Sequence, residues 1–177
     1  MRLGAKIFGT LATVLILFLL LGIFLPGTWE AKANGFVSAP PARVFPFLNR
    51  PTRWVEWNAM PDSGLGFFGP SEGVDAGLEW DDPRYGEGRF RILGSVPERE
   101  IHYEVLVEEG ALSINGTIEI RLEGSGTRLE WTEVGDFGWN PLLGYSARRM
   151  GSSQGTAMLV SLEKLRALIE SEYPQGS

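Results

Sequence analysis

The sequence has no cysteine and only one histidine, His102. The absence of cysteine excludes disulfides, thiolate metal sites and cysteine nucleophiles, and a single histidine excludes a histidine-rich metal cluster. The chain also lacks a strand-to-helix phosphate loop, a Ser-His-Asp spacing and a paired-carboxylate motif. We therefore expect neither a cofactor nor a metal, and few groups are available for catalysis.

Positive charge is also scarce, because 16 Lys and Arg residues stand against 22 Asp and Glu residues, which gives a net charge of −6. Arg2 and Lys6 precede the first apolar run, and every acidic residue follows it. An acidic domain repels the phosphate backbone of nucleic acids. The sequence therefore predicts that nucleic acid is not a partner.

The N-terminal segment is one uncharged run, in which every residue from Ile7 to Leu25 is apolar or small. As a helix the run would extend about 28 Å, close to the roughly 30 Å hydrocarbon core of a bilayer. Because Arg2 and Lys6 precede it, the positive-inside rule predicts a single-pass membrane protein with a cytoplasmic N-terminus. Residues 1–28 are then the anchor, and residues 29–177 form a domain on the extracytoplasmic side.

A cleaved signal peptide is the alternative for this segment, since Ala31-Lys32-Ala33 resembles a small-x-small cleavage site. The apolar run is longer than the usual signal-peptide core of about 7–15 residues. Cleavage after Ala33 would also cut into the first predicted strand, Glu30 to Ser38. Both points favour an uncleaved anchor.

The middle of the chain alternates apolar and polar residues with a period of two, most clearly over Ile101–Val107 and Leu112–Leu122. Such alternation predicts an antiparallel sheet with one buried and one solvated face. Further on, Met158, Leu162 and Leu165 begin an apolar stripe typical of a helix, which Gly151 to Gly155 is predicted to interrupt or kink. The order is strand, two short helices, six strands and a long helix, which predicts an α+β fold with the sheet wrapped round the terminal helix.

Several short segments follow one another in a recognisable order: Ala39-Pro40-Pro41 with Val44-Phe45, Trp54 and Trp57, Gly77-x-x-Trp80, Gly126-Thr127-x-Leu129-x-Trp131, and Gly135-Asp136-x-Gly138-x-Asn140-Pro141. Together they resemble the SRPBCC superfamily, the START-like helix-grip proteins often labelled polyketide cyclase/dehydrase and lipid transport. The resemblance covers roughly residues 29–172 and implies a cavity between sheet and helix. In relatives a basic residue soon follows the Asn-Pro pair, whereas here Arg148 is the first candidate, and no role is transferred to it.

Candidate ligand-binding residues are those that strand parity and the helical stripe place on the inward side. Glu133 is unusual among them, because a carboxylate on the inward face must be paired or hold a raised pKa. His102 is next to Tyr103 in the same strand, so its side chain is predicted on the opposite, solvent-exposed face of the sheet. The predicted cavity residues are Phe67, Trp80, Phe90, Tyr103, Trp131, Glu133 and Met158.

The cavity and the anchor together favour a protein that binds or transports a hydrophobic, lipid-like or polyketide-like small molecule at the membrane. The alternatives are a cyclase, dehydratase or hydrolase acting on such a molecule, and an envelope interaction module with a filled interior. The sequence leaves the question of catalysis open, because fold does not fix function.

Overall fold

The computed structural model describes residues 2–61, 64–84, 86–138 and 142–173, with the side chains of residues 2–6 and 148 outside the description. The helices are α1 (Arg2–Ile23), α2 (Pro41–Asn49), α3 (Pro51–Trp57) and α4 (Gly144–Glu172), and a short 3-10 helix spans Glu108–Gly110. The strands are β1 (Thr28–Val37), β2 (Leu65–Phe68), β3 (Gly77–Asp82), β4 (Gly86–Val96), β5 (Glu100–Val107), β6 (Leu112–Glu123) and β7 (Gly126–Asp136).

The seven strands form one antiparallel sheet in the order β1-β7-β6-β5-β4-β3-β2. Neighbours in the sheet are neighbours in the sequence, except that β1 joins the far side of β7. The predicted α+β architecture, with an antiparallel sheet of six to seven strands followed by a long C-terminal helix, is confirmed. Asn140 and Pro141, which the resemblance includes, lie outside the described residues.

Helix α4 is continuous from Gly144 to Glu172, so the predicted interruption at Gly151 to Gly155 is wrong. Gly151 instead permits a close approach to strand β1. A Cβ atom on Gly151 would lie 2.6 Å from the carbonyl oxygen of Glu30, a distance that side chains do not tolerate. The N-terminal half of α4 therefore lies directly on the edge of the sheet and covers the backbone of β1.

The core lies between one face of the sheet and the helices α2, α3 and α4. The apolar stripe of α4 is buried as predicted, and its members are Met158, Leu162, Leu165 and Ile169. Trp54 of α3 is fully buried at the centre, and its ring lies 4.5 Å from Phe90 and 4.7 Å from Trp57 between centroids. Burying such rings is the main apolar contribution to the stability of the fold.

The prediction of a single-pass membrane protein is wrong. Among the residues that the structure describes, no helix combines the length and the apolarity that crossing a bilayer requires. Helix α1 ends at Ile23, before the apolar run does, whereas a spanning helix takes about 20 apolar residues. The end of α1 packs against α4, where the Phe18 and Tyr145 rings stack at 4.4 Å and the Tyr145 hydroxyl donates to the Phe18 carbonyl over 2.7 Å.

Candidate functional site

A cavity of about 210 Å³ lies between the sheet and helix α4. Strands β3 to β7 form its floor, α4 forms one wall, and α3 with the segment after it forms the other. Helix α4 packs closely on β1 at one edge of the sheet, and bulky rings from the other strands line the space between them and α4. The lining residues are Trp54, Asn58, Ala59, Met60, Pro61, Trp80, Phe90, Tyr103, Val105, Val107, Ile114, Trp131, Glu133, Gln154, Ala157 and Met158.

Three residues in one row across the sheet create the polar centre of this cavity. The strand register places Tyr103 of β5 opposite Gly116 of β6, and Gly116 opposite Glu133 of β7. Because glycine has no side chain, the Tyr103 ring lies across Gly116, and a Cβ there would be 2.0 Å from the ring carbon Cζ. The phenol therefore reaches over the middle strand to the carboxyl group of Glu133.

A buried hydrogen-bond network joins the sheet to α4 through Glu133. The Tyr103 hydroxyl donates to Oε1 of Glu133, and Nε1 of Trp131 donates to the Tyr103 hydroxyl oxygen over 2.6 Å. From the helix side, Nε2 of Gln154 donates to Oε2 of Glu133 over 2.7 Å. Each carboxyl oxygen thus has one neutral donor, which fixes the orientation of the group.

Burial dominates the electrostatics of both acidic groups. The Glu133 side chain is only 4% exposed, and this desolvation raises the pKa of its carboxyl, although the hydrogen bonds from Tyr103 and Gln154 oppose the rise. Burial also raises the pKa of the Tyr103 phenol well above its ordinary value, and the nearby Glu133 carboxyl adds to the effect. The phenol is therefore a neutral hydrogen-bond donor at physiological pH.

The structure brings six of the seven predicted cavity residues together in the lining, and leaves Phe67 outside it. Phe67 does share the inward face, since it pairs with the buried Leu78. It lies on edge strand β2, however, and is 52% exposed. That the six lining residues bind a ligand remains a prediction.

The other described residues named from the sequence form hydrogen bonds within the fold. Trp54 and Trp57, which belong to the family resemblance, are fully buried in the core, and their indole nitrogens donate to the carbonyl groups of Leu48 and Phe47. His102 is half-buried and hydrogen-bonds Glu100 and Thr117 away from the cavity. The Arg148 side chain lies outside the described part.

Sequence reasoning missed two residues on which the site depends. Gln154 lies four residues before Met158, so extending the buried stripe of α4 backwards by one turn would have found it. Gly116 lies within β6 directly opposite Tyr103 of the neighbouring strand β5. A glycine opposite an aromatic residue on a paired strand marks a close approach. Both signals were present, but neither stands out without the strand register.

Larger depressions elsewhere are more open to solvent. One, of about 730 Å³, is lined by charged residues such as Glu79, Asp81 and Arg89 on the solvated face of β3 and β4. Within the described ranges, no three His, Cys, Asp or Glu side chains come together as a metal site requires. The aromatic cavity between the sheet and α4 is less open to solvent, and it is therefore the best candidate site.

No family model matches the sequence, and no curated protein matches it either. Solved structures do match the fold. MLL2253 from Mesorhizobium loti superposes with a TM-score of 0.60 at 20% identity, over 80% of this chain and 97% of that one. CalU16 from Micromonospora echinospora gives 0.55 at 18% identity, over 82% and 87% of the two chains. DynU16, from the dynemicin biosynthetic locus, gives 0.57 at 12% identity, over 82% of this chain and 48% of its own. At these identities the comparisons establish a shared fold.

Proposed function

We propose that the protein binds a small hydrophobic molecule in the cavity between the sheet and α4. The observation that carries the proposal is the cavity of about 210 Å³ with aromatic walls between the sheet and α4. Ligand sites have this composition, with apolar walls and a few fixed polar groups. Glu133, with its two hydrogen-bond donors, is the polar group that orients the ligand.

The volume limits the size of the molecule. An engineered cavity of about 150 Å³ holds benzene, and natural ligand pockets run from about 300 Å³ upward. A cavity of about 210 Å³ therefore suits one substituted six-membered ring, rather than a long acyl chain or a fused polycycle. The expected ligand is smaller than the lipid-like or polyketide-like molecules that the family resemblance implies.

We further propose that the chain belongs to the SRPBCC superfamily. The ordered sequence segments support this assignment, and so does the fold that the chain shares with CalU16 and DynU16. The origin of DynU16 in a biosynthetic locus is compatible with a ligand made by such a pathway. Neither likeness specifies the molecule, and the ligand is inferred from the shape and lining of the cavity.

Catalysis is the second candidate function, and one observation favours it. Glu133 is a buried carboxyl with a raised pKa inside a cavity, and such groups are common acids and bases in enzymes. The hydrogen bonds from Tyr103 and Gln154 also have a purely structural explanation, because they offset the cost of burying the Glu133 carboxyl group. Binding needs only the cavity, and for this reason it is the primary proposal.

A titration of the full chain with benzyl alcohol tests the binding proposal. Burying about 200 Å² of apolar ligand surface at ~25 cal/mol/Å² gives about 5 kcal/mol, which corresponds to a Kd of about 0.1–1 mM. Calorimetry together with ligand-detected NMR measures this range. Pyrene, a four-ring compound, serves as the probe that is too large to enter.

A pair of matched variants on α4 locates the binding. Ala157 lines the cavity at an exposed position, so Ala157→Trp should fill its mouth and weaken benzyl alcohol binding by about tenfold or more. Ala167 is also exposed on α4 but lies outside the lining, and Ala167→Trp should leave binding unchanged. Equal binding by wild type and both variants, or no binding at all, would refute the proposal.

A further inference from the structure

The charge of the cavity wall restricts the chemical class of the ligand. This inference rests on the proposed binding function. Glu133 is the one residue of the described lining that carries a formal charge, and that lining contains no lysine, arginine or histidine. An anionic ligand would therefore meet a carboxyl and no cation. A buried carboxylate without a partner is costly, and a cation beside it offsets much of that cost.

The protein does not supply this cation within the part of the chain that the structure describes. Both hydrogen bonds to Glu133 come from neutral groups, the Tyr103 phenol and the Gln154 amide. Burial is the main cause of the raised pKa of Glu133, and no basic group among the described side chains opposes it. A carboxylate offers about four acceptor positions, so two remain for a ligand.

The walls around Glu133 also favour positive charge. The faces of aromatic rings carry partial negative charge, and ring-lined sites bind ammonium groups through cation–π attraction. Four aromatic rings of the lining come from the strands that form the floor of the cavity. A fifth ring belongs to Trp54, and its centroid lies 4.9 Å from that of Tyr103 and 6.3 Å from that of Trp131. The four floor residues are Trp80, Phe90, Tyr103 and Trp131.

We propose that the ligand of this cavity is a small organic cation, a protonated amine on a single hydrophobic ring. Its ammonium group donates to the free acceptor positions of Glu133, and its ring lies against the aromatic walls. The cavity volume of about 210 Å³ leaves room for one ring and a short side chain. The class thus comprises arylalkylamines and excludes carboxylates and phosphates.

Benzylamine and benzyl alcohol form the test pair, because they differ mainly in the charge of one terminal group. Calorimetry on the full chain at pH 7 should give a Kd for benzylamine at least about tenfold lower than for benzyl alcohol. In Glu133→Gln the preference for benzylamine over benzyl alcohol should vanish. Glu130→Gln is the matched control, since this exposed carboxyl on the opposite face of β7 pairs with Arg121, and it should keep the preference.

The outcomes separate this inference from the proposed function. If benzyl alcohol binds at least as tightly as benzylamine, the cation proposal is overturned and the binding function stands. If the preference for benzylamine survives in Glu133→Gln, the amine binds elsewhere and the proposal also fails. If neither compound binds wild type, the binding function itself is refuted.

Discussion

Replacing Gly116 with alanine removes the space in which the Tyr103 ring lies. The new Cβ would be 2.0 Å from Cζ and 2.4 Å from the hydroxyl oxygen of Tyr103, whereas unstrained contacts begin near ~3.5 Å. The backbone of Gly116 does not occupy the left-handed region, so alanine brings no conformational strain of its own. The full effect therefore falls on the ring and on the network that it supports.

The magnitude follows from the hydrogen bonds that the displaced ring gives up. The bond from Tyr103 to the Glu133 carboxyl contributes about 1.5–3 kcal/mol, and the bond from Trp131 to Tyr103 contributes about 0.5–1.5 kcal/mol. Alanine is better than glycine inside a strand by about 0.5–1 kcal/mol. We expect Gly116→Ala to lower the free energy of unfolding by about 1–4 kcal/mol, a fall of about 2–16 °C in Tm.

Urea unfolding followed by circular dichroism measures this change. Gly66→Ala is the control, because this glycine of β2 faces only the flexible side chain of Glu79, and we expect no more than a small change there. The reasoning is refuted if Gly116→Ala is as stable as wild type, or if its crystal structure retains the Tyr103–Glu133 hydrogen bond.

Three further predictions concern the same network and the core. In wild type the free energy of unfolding should fall as pH rises from about 4.5, the ordinary pKa of glutamate, to the raised pKa of Glu133, because the folded state holds the proton more tightly. Glu133→Gln should lose this component of the fall, as urea titrations at several pH values would show, and a slope equal to that of wild type would contradict the assignment. Tyr103→Phe should cost about 1–3 kcal/mol in the same assay, since Nε1 of Trp131 loses its acceptor, and a neutral result would mean that the network is not needed for stability. Leu162→Ala should cost about 2–5 kcal/mol, while Leu159→Ala on the exposed side of α4 should cost far less, and equal losses would place the wrong face inward.

The sequence predicted the sheet because period-two alternation directly records which face of each strand is buried. The run from Ile101 to Val107 is an example, and it also placed Tyr103 inward correctly. The stripe from Met158 to Ile169 predicted the buried face of α4 for the same reason. Patterns of this kind depend on local geometry alone, and a single sequence is sufficient to read them.

The errors arose where the answer depends on contacts between distant segments. Gly151 and Gly155 read as a helix interruption, although they are the surface on which α4 approaches β1. Strand alternation placed Phe67 on the correct face of the sheet, but its side chain is exposed because β2 is an edge strand. The uncharged N-terminal run indicated an anchor, whereas α1 ends before the run does.

In the candidate site, too, local patterns were predicted correctly and contacts between distant segments were not. Parity placed Glu133 inward, yet its partners Tyr103 and Gln154 could not be named without the register that aligns Tyr103, Gly116 and Glu133. That register depends on pairings between strands far apart in the sequence, and periodicity does not encode them.

The most direct test of the account is the position of a ring-sized ligand in a crystal of the full chain. Soaking with 4-bromobenzyl alcohol and recording the anomalous signal of bromine locates the probe without reference to any assumed pose. The account predicts one strong bromine peak inside the cavity bounded by Trp131, Glu133 and Met158, which Ala157→Trp removes. A cavity that stays empty at saturating probe, or a bromine peak only on the outer surface, would contradict it.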